Sequence, residues 1–177
     1  MEYIRARRLS NDILMGLNEM YNRSHSDEEL VTAINHVLTY VNLELVRLDS
    51  PYVKKEIAVK ARKHGVELPD DYINFSGWLS DEELPEDERK KIKWHIRGTK
   101  IYTDTDDTMV YFRHVPLIHH LDEIIELPYF FYLLLVRLCI GYIKGSISDD
   151  DISDAVAAET NSQANDYEIK RELPFYL

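Results

Sequence analysis

The 177-residue chain holds one cysteine, six glycines and six prolines. A single thiol, Cys139, forms no internal disulfide, which excludes a disulfide-stapled scaffold and points to a reducing compartment. The few glycines do not cluster, so no loop cradles phosphate. G-x-G-x-x-G, the Walker loop, C-x-x-C and H-E-x-x-H are all missing. The opening Met-Glu-Tyr-Ile-Arg-Ala-Arg-Arg has no apolar run of the kind a secretory signal needs. The longest apolar stretch, YFFYLLLVRLCIGYI at 129–143, contains Arg137 and falls short of the roughly 20 residues of a spanning helix, so it reads as buried and no membrane partner is expected. Positive charge is scarce as well. Lys plus Arg number 21 against 32 Asp plus Glu, a net charge of −11, which opposes bulk attraction to nucleic acid or an anionic membrane. What is present, 45% hydrophobic and 30% charged residues, is the balance of one globular domain with a sizeable core.

Periodicity sets the expected elements. Ile13, Leu14, Leu17, Met20 and Tyr21 form an apolar stripe and predict a helix from about Ser10 to Tyr21. Ser26 followed by Glu29 is a capping-box pattern, and the stripe Leu30, Ala33, Ile34, Val37, Leu38, Val41, Leu45, Leu48 predicts a long helix ended by Ser50-Pro51, with Asn35 and Glu44 on its polar side. The period then changes. Residues 55–62 alternate as a half-buried strand; Val66–Leu68 and Tyr72–Trp78 read as further strands, and 80–91 as a solvated excursion. A hairpin is expected across 93–114, turning at Thr103–Thr108. Leu121–Glu126 reads as a short acidic helix, and Leu127-Pro128 as the start of a long apolar helix running to Lys144-Gly145. From Asp149 on, eight acids face two bases, a net −6. There a short helix capped at Ser148, a linker at Asn161–Asn165 and an apolar last stretch expected to dock on the chain itself or on a partner complete the reading.

The expected architecture is therefore α+β: a helical body at 1–50 and 117–145 (two N-terminal helices plus the long apolar helix), an antiparallel β insertion at 51–116, and an extended acidic arm at 146–177. Among chemical groups, His114, His119, His120 and Asp122 are the best metal candidates, though their spacing matches no common site. Asp104, Asp106 and Asp107 lack the glycine and distal glutamate of a calcium loop and read as a solvated turn. Cys139 sits in the most apolar segment, where a thiol behaves as a small hydrophobe. Ser24, His25 and Asp27 read as turn and cap rather than as a triad. No cofactor is expected. Arg5, Arg7 and Arg8 form a basic cluster suited to phosphate or to an acidic neighbour, and with the acidic end of the chain they fit head-to-tail contact between identical subunits. Twelve tyrosines suit half-buried contact surfaces.

Four strings in order, NDILMGLNEMYNRSHSDEELVTAINHVLTYVNLELVRL, VELPDDYINFSGW, IRGTKIYTDTDDTMVYFRHVP and LDEIIELPYFFYLLLVRLCIGYIKG, together spanning residues 10–145, resemble the head-to-tail adaptor (connector) proteins of tailed bacteriophages, particularly short-tailed ones. The resemblance implies a noncatalytic virion protein of the neck, assembled in the host cytoplasm. It implies a ring of about twelve subunits, bound to the portal protein above and a tail or nozzle protein below. Genomic DNA would pass through the ring without sequence-specific binding. On that reading Tyr167, Leu173, Phe175 and Tyr176, with Arg5, Arg7 and Arg8, are the candidate partner contacts, and Asp104, Asp106 and Asp107 are candidates to face the channel. A metal-dependent enzyme built on the histidines, and a small cytosolic regulatory interaction protein, are the alternatives.

Overall fold

The computed structural model describes residues 3–19, 24–83 and 91–172. In chain order its elements are β1 (Tyr3–Arg5), α1 (Ala6–Gly16), α2 (Asp27–Arg47), β2 (Lys54–Val59), β3 (Val66–Glu67), β4 (Tyr72–Trp78), α3 (Leu79–Glu83), β5 (Trp94–Arg97), β6 (Lys100–Thr103), β7 (Asp107–Arg113), β8 (Ile124–Pro128), α4 (Tyr132–Ile143) and α5 (Asp149–Glu172). The chain is mixed α+β with antiparallel sheets. It divides into two compact units, one of Met1–Tyr52 with Val115–Leu177, the other of Val53–His114. Met20 and Tyr21, expected at the end of the first helix, most of the polar stretch 80–91, and Leu173, Phe175 and Tyr176 lie outside the described residues.

In the first unit α2 begins with both halves of the capping box. Ser26 Oγ accepts the Glu29 N–H at 3.2 Å, and the Glu29 carboxylate accepts the Ser26 N–H at 2.7 Å. Its face Leu30, Ile34, Val37, Leu38, Val41 and Leu45 is buried against α4 and α5, while α1 packs on α4. Two polar residues of α2 depart from expectation. Glu44 is 4% exposed and accepts from Arg47. Asn35 Oδ1 accepts the Ile118 N–H at 2.9 Å and its Nδ2 donates to the Ile118 carbonyl at 2.7 Å, as a neighbouring strand would. Asn42, two turns on, accepts the Val115 N–H at 3.1 Å. Together they satisfy backbone groups of an irregular segment that would otherwise be buried unpaired.

The helix expected from Leu127-Pro128 starts later and is shorter. Ile124–Pro128 is the strand β8, paired antiparallel with β1, Ile4 opposite Ile125 and Arg5 opposite Ile124. Pro128 has an extended backbone (φ −56°, ψ 145°), and α4 begins only at Tyr132, after a 3-10 turn at Tyr129–Phe131. The physical reason is pairing: Ile125 and Leu127 are buried by alternation against a strand formed by the chain's first residues. The expected acidic helix at Leu121–Glu126 is absent for the same reason. The C-terminal segment is helical rather than extended. α5 runs through the expected linker at Asn161–Asn165. Ser148 caps it, its Oγ accepting the Asp151 N–H at 3.3 Å while the Asp151 carboxylate takes the Ser148 N–H at 2.7 Å. Acids in the first turn favour the helix dipole, and Ile152 and Val156 are buried.

The second unit holds two three-stranded sheets, β2-β7-β4 and β3-β6-β5. The expected 93–114 hairpin is half right. β5 and β6 pair around Arg97–Thr99, but β7 joins the other sheet as its central strand, because Met109–Arg113 is buried without alternation and needs cover on both faces. Val59, Trp78, Ile101, Met109 and Tyr111 form the core of this unit. Gly65 turns between β2 and β3 at φ +67°, where a Cβ would press on the Ile101 carbonyl oxygen at 3.0 Å.

Candidate functional site

β1 and the start of α1 place three arginines together. Alternation buries Ile4 and turns Tyr3 and Arg5 outward; the helix then begins at Ala6, so Arg8 follows Arg5 by one turn. Ala6 N–H donates to the Glu123 carbonyl at 3.1 Å, which fixes this start against the β8 side of the unit. Arg7 is committed locally: it donates to Asp27 at 3.1 Å and to Asp122 at 3.0 Å. Arg8 lies over an aromatic platform, its guanidinium carbon 5.5 Å from the Tyr129 ring centre and 5.4 Å from that of Tyr132. The two rings stack at 5.0 Å. Tyr132 donates to Asp12, and burial, then that bond, pushes its hydroxyl far above the usual range, so it remains a donor. Tyr3, Arg5, Arg8, Ile124 and Tyr129 line an open groove of about 630 Å³. Such a groove combines cations, ring faces and an exposed aliphatic, the chemistry that receives carboxylates carried on a partly apolar surface.

The remaining candidates are placed as follows. His119, His120 and Asp122 line a neighbouring cleft of about 370 Å³ with Arg7 and Asp27, but the Asp122 carboxylate is held by Arg7. The backbone N–H groups of His119 and His120 donate to Glu123 at 3.1 and 3.0 Å, and His114 belongs to the other unit. No group of three or more metal-capable side chains is close enough to hold an ion among the described residues.

The three acids of the 103–108 turn act as acceptors. Asp104 takes the Lys93 N–H at 3.0 Å, Asp106 the Ala61 N–H at 2.7 Å, and Asp107 the Ser80 hydroxyl. Cys139 is fully buried, and burial pushes its thiol far above the usual range. Ser24 and His25 donate their N–H groups to Glu19 at 3.0 and 3.2 Å; bonds to Ser24, then His25, hold the Glu19 carboxyl down to about 2. Tyr167 falls within α5, with its side chain outside the described residues.

Two features escaped the sequence reading. Asn35 and Asn42, which form the clasp, sit two turns apart on a helix whose period marks its apolar residues and carries no signal for polar ones. The tyrosine platform lies about 120 positions from the arginine it supports, and only the Tyr-x-x-Tyr spacing at 129–132 hints at it. Comparison of the chain with known protein families finds no match, and comparison with characterised proteins finds none.

Proposed function

We propose that the protein is a structural subunit of a phage head-to-tail adaptor ring that joins portal to tail and lets DNA pass through its channel. The observation that carries this reading is the order of parts along the chain. A helical unit with its own core is interrupted by an antiparallel β unit and then completed by α4 and α5. The same order underlies the resemblance of residues 10–145 to that class of protein. In this reading the helical unit is the ring's body, with α4 as its apolar centre. The arginine groove and the last residues, from Tyr167 on, make contacts with the portal and with neighbouring subunits. The ring belongs to the neck of the virion and forms in the host cytoplasm. Its role is assembly, with no bond made or broken.

An electron micrograph of the protein mixed with its portal tests this directly. A second ring stacked on the portal is expected. A bare portal ring at saturating protein would refute the proposal.

A further inference from the structure

We propose that the groove of Arg5 and Arg8 receives the acidic opening of α5, Asp150 and Asp154, from a second copy of the chain. The inference rests on the ring reading and names the two surfaces that meet in it.

The groove's charge does not serve α1. Its first turn holds no acid and its N-cap, Arg5, makes no side-chain cap bond, so cations occupy the helix end where they are disfavoured. Among the described residues Arg8 is oriented by the rings of Tyr129 and Tyr132 rather than by a carboxylate, with its planar fork held ready. Exposed Tyr3 and Ile124 flank it, 45% and 56% exposed. A chain of net charge −11 offers carboxylates in excess, and opposes a polyanion such as duplex DNA.

Among the acids that open α5, Asp149 bonds His36 at 3.0 Å and Asp151 bonds Ser148 at 2.7 Å. Asp150 and Asp154 are exposed and one turn apart on one face, with Asp154 also in the field of Arg47. Two carboxylates four residues apart on one helix face thus offer partners to two arginines three residues apart, one at the end of β1 and one in the first turn of α1. The groove is built by β1, the start of α1, the first residue of β8 and the turn between β8 and α4, whereas α5 packs on α2 and α4. Two different patches meeting from different copies form a head-to-tail contact, which builds a ring when the rotation closes.

Charge exchange tests this on the full-length protein. Wild type is expected to self-associate at about 50 mM salt and more weakly as salt rises. Sedimentation velocity should find Arg5→Glu/Arg8→Glu and Asp150→Arg/Asp154→Arg each about tenfold weaker or worse alone. Their equimolar mixture should associate again, because each variant's groove then meets the other's opposite charge. Recovery in the mixture also shows that both variants are folded.

Unaltered association in either variant, a mixture that stays dispersed, or a wild type monomeric at about 1 mM in low salt would overturn the contact. Stacked rings on the portal alongside any of these results would leave the adaptor reading standing, whereas bare portals would remove both. Retention of duplex DNA by wild type, lost in Arg5→Glu/Arg8→Glu without any self-association, would make the groove a nucleic-acid site and also overturn the proposal.

Discussion

Asn42 is 5% exposed and its Oδ1 is the acceptor for the Val115 N–H. Asn42→Leu keeps the branching at Cγ but adds apolar volume and orphans that donor, and should cost about 1–3 kcal/mol in urea unfolding. A loss under a few tenths would mean that water reaches Val115 instead. Glu19 makes a second residue-scale case. Hydrogen bonds from Ser24 and His25 hold its carboxyl down to about 2, below the ordinary value of 4.5. A depressed acid contributes stability that is full above the unfolded value and lost as pH falls toward the folded one. Stability should therefore decline between about pH 4.5 and pH 2. Glu29 and Asp151, each lowered by bonds from its capping serine, add to the same trend. Glu19→Gln should flatten the decline in a series of urea midpoints against pH; an equally steep series would assign the acid sensitivity elsewhere.

At the scale of elements, α5 packs on α2 and α4, and among its described side chains Ile152 and Val156 are fully buried. Ile152→Ala should cost about 2–5 kcal/mol and raise hydrogen exchange along α5 before the rest of its unit. Uniform exchange changes would place α5 inside the cooperative core instead. The elements also mark how far the sequence could be read. α2 was legible because its signals are local: a capping box, a sustained period and a proline stop. β8 was not, since Leu127-Pro128 carries a helix-start signal and the strand exists only through a partner more than a hundred residues earlier. β7 is legible as a strand but its neighbours are not, because alternation reports which face is buried and not which strand lies alongside. The extent of α5 beyond Asn161 is not legible, because apolar periodicity ends there although the backbone continues as helix. Of the site, the arginine cluster was visible in the first eight residues, while the platform that orients Arg8 depends on tertiary packing.

For the whole molecule, the ring reading makes electrostatics collective. About twelve copies at −11 each carry roughly −130 before counterions. Acids on a channel wall would repel duplex phosphate and let DNA slide, and Asp104, Asp106 and Asp107 are the proposed wall. Because each also accepts a hydrogen bond, the informative change is Asp104→Asn/Asp106→Asn/Asp107→Asn, which keeps an acceptor oxygen and removes three charges per subunit. Slower DNA ejection from normally assembled particles is expected; an unchanged rate would move these acids off the channel. One feature gives access to the helical unit without any engineering. Its only sulfhydryl, at position 139, is wholly enclosed, so a soluble alkylating reagent reaches it only when that interior opens. The labelling rate then becomes a native clock for breathing, and slower labelling after incorporation into a particle would measure how much assembly tightens each subunit.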